Sequence, residues 1–143
     1  MTATPHDRDS ARAEGDRLRN AGMTLAAQGR DWLILRGQLA LLDAIRSAPD
    51  RTATTDDATS DLMRAYPDGG RWRGSIPRAL SHLGLIRKAG AVSSARASRH
   101  GGLVAAWQGI DDAAIDRHRA ELRRRLAKMT PPVAAPEQQN LFE

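Results

Sequence analysis

Arg71, Ser75, Arg78 and His82 are spaced 4, 3 and 4 residues apart, so on a helix they fall along one stripe. The planar donor fork of arginine suits a bidentate pair with guanine O6 and N7, or a clamp on a phosphate. Gly74 and Ser75 are small and would let such a helix approach a groove closely. Arg73 lies on the same segment. Downstream, Arg87, Lys88, Arg96, Arg99 and His100 share a stretch with Ser93, Ser94 and Ser98. Serine hydroxyls and arginines are common phosphate contacts. The chemistry on offer is recognition of a polyanion: Arg71, Arg73, Ser75 and Arg78 as groove contacts, and Arg87, Lys88, Arg96, Arg99 and His100 as backbone contacts.

The charge map agrees. The 143-residue chain carries a net +5, but the excess is local. Residues 1–68 hold nine basic and eleven acidic side chains, and residues 111–143 hold six of each. Between Asp68 and Asp111 there is no carboxylate, against seven Arg and Lys. Neutralising phosphates with such a block releases counterions, which drives nucleic-acid binding. A basic face kept only for solubility is the plain alternative, but solubility does not require the exclusion of every acid.

Other chemistries find little support. Without cysteine there is no disulfide framework and no Cys-based zinc site. His6, His82, His100 and His118 are scattered, with no metal-ligand spacing. The phosphate-loop, dinucleotide and nucleophile-elbow patterns are absent. The acidic pairs Asp56-Asp57 and Asp111-Asp112 each stand at an expected helix start, where capping accounts for them. The expectation is a non-enzymatic protein with no cofactor and no metal. No apolar run approaches the ~20 residues of a membrane span, and the polar, acidic start is unlike a secretory signal. A soluble cytoplasmic protein is expected.

These residues need elements to hold them. Residues 8–30 suggest a helix interrupted near Gly22. From an Asp31 N-cap, Trp32, Leu35, Leu39, Leu42 and Ile45 repeat with helical spacing, widened by Ile34, Leu41 and Ala44 into a central core helix over 31–47. Pro49 ends it. Thr52-Ala53-Thr54 reads as a short strand, followed by a helix to about Tyr66. A third helix carries Trp72, Ile76, Ala79, Leu80 and Leu83 and stops at Gly84. Pro77 leaves two options for it: a late start near Ser75, or a start at Arg71 with a kink. Two strands, 85–89 and 103–107, flank a polar loop from Gly90 to Gly102. A last helix over 111–129 carries Ile115, Leu122, Leu126 and Met129. That stripe, or the N-terminal arm, could support a homodimer.

The order helix, short strand, helix, helix, strand, loop, strand over residues 32–110 resembles the winged-helix branch of the helix-turn-helix superfamily. The GRWRGSIPRALSHLGLI stretch with its basic hairpin also resembles small winged-helix proteins of phages and prophages. The implied fold is mainly α with a small β-hairpin: a winged helix with an N-terminal helical arm (1–31), a C-terminal helix (111–129) and a flexible tail (130–143). In such folds the third helix enters the major groove and the wing touches the backbone or minor groove. Binding of double-stranded DNA, in replication or regulation of a bacterial or phage genome, is what the resemblance implies. A protein-binding adaptor is the alternative use of such a fold.

The tail adds a second signal. Phe142 is the only phenylalanine, and it stands beside Leu141 in a proline-rich segment. Gln138, Leu141 and Phe142 resemble the short peptide by which bacterial replication and repair proteins dock on the DNA sliding clamp. Gln139 and Asn140 depart from that pattern, which weakens the implied docking.

Overall fold

A computed structural model describes residue 13 and residues 28–67, 72–93 and 103–133. Its first described element, α1 (28–47), is apolar on most sides. Leu41, Leu42 and Ile45 are fully buried, with Leu33, Leu35 and Leu39 nearly so. The helix is already under way at residue 28, so Asp31 is an exposed residue within it and not the N-cap expected from sequence.

A turn through Arg51, whose φ is +57°, leads into β1 (Thr52–Thr54). The Arg51 carbonyl accepts from Gly109 N at 3.0 Å, and its guanidinium donates to Ala48 O at 2.8 Å. Thr54 then caps α2 (Thr55–Ala58): its Oγ1 accepts from Asp57 N at 3.1 Å, and Asp56 and Asp57 fill the first turn. The expected single helix is divided at Thr59 into α2 and α3 (Ser60–Ala65). Thr59 is fully buried, and its hydroxyl donates to Thr55 O at 2.7 Å. This back-bond to the preceding turn is a habit of buried threonine that bends helices.

α4 (Ser75–His82) takes the late start: Gly74 is its N-cap, and residues 72–74 form a turn. Pro77 is then the third helical residue, where no intrahelical donor is needed. Ile76 and Leu80 are fully buried, and Trp72 is 4% exposed. At the far end Gly84 takes φ +75°; its N–H donates to Ser81 O at 3.0 Å, and Leu85 N–H donates to Leu80 O at 3.1 Å. These two bonds form a Schellman stop, which needs a residue without a Cβ penalty in the left-handed region.

The sheet has the order β1-β3-β2, antiparallel throughout, with β2 at Ile86–Ser93 and β3 at Leu103–Gly109. Thr52, Ala53 and Thr54 face Gln108, Trp107 and Ala106. β2 runs past the strand end expected near residue 89: Gly90, Ala91, Val92 and Ser93 face Ala106, Ala105, Val104 and Leu103. Cross-strand pairing overrides the weak strand preference of these small residues. A bulge leaves Ala89 as the extra residue between Lys88↔Trp107 and Gly90↔Ala106.

α5 (Asp112–Ala127) is capped by Asp111, whose Oδ1 accepts from Ala113 N at 3.0 Å. Ile115 and Leu122 are fully buried in the same core cluster as α1, and Leu126 and Met129 pack against it. The stripe that could support a dimer is therefore packed within the chain at these positions. Ion pairs strap α5 to α1: Arg119 Nε to Asp43 Oδ1 at 2.7 Å, Arg46 Nη1 to Asp112 Oδ2 at 2.9 Å and Arg46 Nε to Asp116 Oδ1 at 2.8 Å. The Arg46 guanidinium, with Arg119 behind it, holds the Asp116 carboxyl below its ordinary range. The fold is mainly helical with one small antiparallel sheet.

Candidate nucleic-acid interface

The buried face of α4 fixes what its other face shows. With Ile76 and Leu80 pointing into the core, Ser75, Arg78 and His82 are all exposed. Three of the four residues of the expected stripe therefore share an open face, and Arg71 lies outside the described residues. The late helix start makes Ser75 its first residue, so the stripe spans barely two turns.

α4 packs on β2, and the hairpin supplies the neighbouring cations. Arg87 and Lys88 are both exposed. Arg87 faces Gln108 across the strands, and its Nε and Nη2 donate to Gln108 Oε1 at 3.3 and 3.1 Å. A neutral amide thus holds this guanidinium in place while leaving its charge uncompensated. Gln108 was not among the residues singled out from sequence; strand register alone brings it opposite Arg87. Arg96, Arg99 and His100 fall outside the described residues, as do Gln138, Leu141 and Phe142 of the tail.

Arg73 departs from expectation. Its Nη1 donates to Asp56 Oδ1 at 3.2 Å, and the two side chains are only 11% and 9% exposed. A guanidinium so enclosed, with a carboxylate against it, is not presented to a groove. Asp56 stands seventeen residues away, on α2, so linear reading offers no reason to pair them.

The remaining charges sort by element. Arg46, Arg51, Arg119, Arg123 and Arg124 all pair with carboxylates of α1 or α5. Among the described residues of the acid-free segment, Arg78, Arg87 and Lys88 have no carboxylate partner. Among the described residues, carboxylates therefore do not cancel the positive charge of Arg78, Arg87 and Lys88 on α4 and β2, whereas they pair with several cations of α1 and α5.

Arg117, Arg125 and Lys128 also lack a carboxylate partner among the described residues. Arg117 borders a shallow groove with Leu83, Ala114 and His118. His118 is half-buried there, its Nε2 has no hydrogen-bond partner, and burial, with Arg125 nearby, pushes its pKa below the ordinary 6.5. A depressed folded-state value means that the unfolded chain takes up a proton first. Stability is then full above about pH 6.5 and lost as pH falls from there through the folded value. Urea midpoints from pH 8 to 5 should show that decline. A His118→Gln variant should flatten it, and an undiminished decline in the variant would assign it elsewhere.

Among the described residues no group of three His, Cys, Asp or Glu side chains could hold a metal ion, and no helix is long and apolar enough to cross a membrane. Comparison with protein families and with curated proteins finds no match.

Proposed function

We propose that this chain is a winged-helix protein that binds double-stranded DNA without catalysing a reaction. On this reading α4 is the recognition helix, entering the major groove with Ser75, Arg78 and His82, and the β2–β3 hairpin is the wing. Arg87 and Lys88 hold the phosphate backbone beside it, and Arg71, Arg96, Arg99 and His100, outside the described residues, are further contacts on this reading. The single observation that carries the reading is the exposed α4 face beside two exposed hairpin cations, with no carboxylate among the described residues neutralising Arg78 or Lys88. The three-stranded order with β1 paired to β3 supports it, since that pairing ties the first helix to the base of a wing.

Fluorescence anisotropy with a random duplex of about 25 base pairs, across about 50 to 300 mM salt, tests it. Binding is expected, with log affinity falling linearly against log salt at about 0.9 per phosphate neutralised. Absence of binding at the lowest salt would sink the reading. The tail residues Gln138, Leu141 and Phe142 fall outside the described residues, and their proposed role is to recruit a partner of the sliding-clamp type.

A further inference from the structure

Arg73 sits inside the acid-free basic segment, yet its guanidinium is turned inward onto Asp56. Taking two charges out of water costs several kcal/mol per ion, and the pair repays this only when its geometry is well held. Neither solubility nor a phosphate contact calls for such a pair.

Its placement suggests what does. Asp56 stands in the first turn of α2, directly after the Thr54 cap that ends β1. Arg73 stands in the turn that launches α4, and its carbonyl accepts from Ile76 N at 3.1 Å. Both side chains line an open cavity of about 340 Å³, walled on its other sides by Pro77 of α4 and Trp107 of β3. Apolar packing does not fill the space between α2, the start of α4 and the central strand; a charged link crosses it.

We propose that the Asp56–Arg73 pair sets the angle at which α4 leaves the fold, and so aligns Ser75 and Arg78 with Arg87 and Lys88 for one stretch of duplex. Arg73 is then a positioning residue and not a phosphate contact. This rests on the DNA-binding reading above.

The test separates geometry from charge, because the two predict opposite signs. Asp56→Asn adds one positive charge to the DNA-facing half of the chain, so electrostatics alone gives tighter binding. Loss of the positioning pair gives binding about tenfold weaker, the size expected for a residue acting through another. The full-length chain is titrated with the same random duplex across the salt series, and far-UV circular dichroism checks folding. Both Asp56→Asn and Arg73→Gln are expected to lose about tenfold in affinity with the salt slope unchanged, and Arg73→Lys to recover most of it.

Equal or tighter binding by Asp56→Asn overturns the proposal. So does a slope reduced by about 0.9 in Arg73→Gln, which marks a lost phosphate contact. If Asp56→Asn fails to fold, Asp56→Glu takes its place: it keeps the charge but displaces the carboxylate, and affinity equal to wild type overturns the proposal. A wild type that does not bind duplex at all removes the DNA reading itself and this inference with it, whereas a binding wild type with an indifferent Asp56→Asn removes the inference alone.

Discussion

Reversing one charge on α4, in Arg78→Glu, is expected to weaken duplex binding by about two orders of magnitude at ~50 mM salt. Removing an arginine that reaches a base edge or phosphate costs about 1–3 kcal/mol. A carboxylate facing the backbone adds repulsion in a segment that otherwise has no acid to share it. Stability should hardly move, since Arg78 is exposed and has no ion-pair partner among the described residues, and such surface changes stay within about 0.5 kcal/mol. Arg78→Ala refines the result. A phosphate contact would lower the salt slope by about 0.9, whereas a guanine contact would leave the slope nearly unchanged and relax sequence preference. A folded Arg78→Glu protein that binds duplex as wild type does would remove α4 from the interface.

The largest effect on stability from a single methyl group is expected at Gly37. It lies within α1, and on helix propensity alone Gly37→Ala should stabilise by about 1 kcal/mol. Packing opposes this. A Cβ at residue 37 would fall 2.2 Å from Ile76 Cδ1 and 3.0 Å from Ile76 Cγ1, with the Trp72 ring at 3.5 Å. Ile76 is fully buried and Trp72 nearly so, leaving neither side chain room to retreat. Overpacking of this kind costs about 1–3 kcal/mol, so a net destabilisation is expected. Urea denaturation would measure it, and Ile76→Val offers a specific rescue because it removes the atom at 2.2 Å. In a double-mutant cycle the two changes should couple favourably by more than about 0.5 kcal/mol. A more stable Gly37→Ala protein would mean that α4 shifts away freely, and duplex affinity would then report the shift.

Much of this architecture is legible in the residues because local rules act alone there. The all-round apolar repeat of α1, the Asp111 cap, the Gly84 stop and the burial of Ile76 and Leu80 each follow from a few neighbouring positions. What escaped depends on partners distant in sequence. The small residues from Gly90 to Ser93 read as loop until β3 pairs with them. The α5 stripe could serve a dimer or the core until Ile115 and Leu122 are found in the core with α1. Arg73 reads as one more basic residue until Asp56 is found against it. The candidate interface was legible in the same measure: residue type and spacing placed Ser75, Arg78 and His82 on one open face, but only the fold could withdraw Arg73 and supply Gln108.

The straps between α1 and α5 bear on how the chain is made. Arg46 and Asp116 are separated by 70 residues, and Asp43 and Arg119 by 76. Leu122 follows Ile45 by 77 residues, and both are fully enclosed once the chain has closed. At a synthesis rate of about 5–20 residues per second, α1 therefore waits roughly 4 to 15 seconds for the helix that covers one of its sides. Throughout that interval the most apolar element of the protein is only partly sheltered. Newly made chains are then the most vulnerable population, and a chain cut short before Leu122 would never complete the core at all.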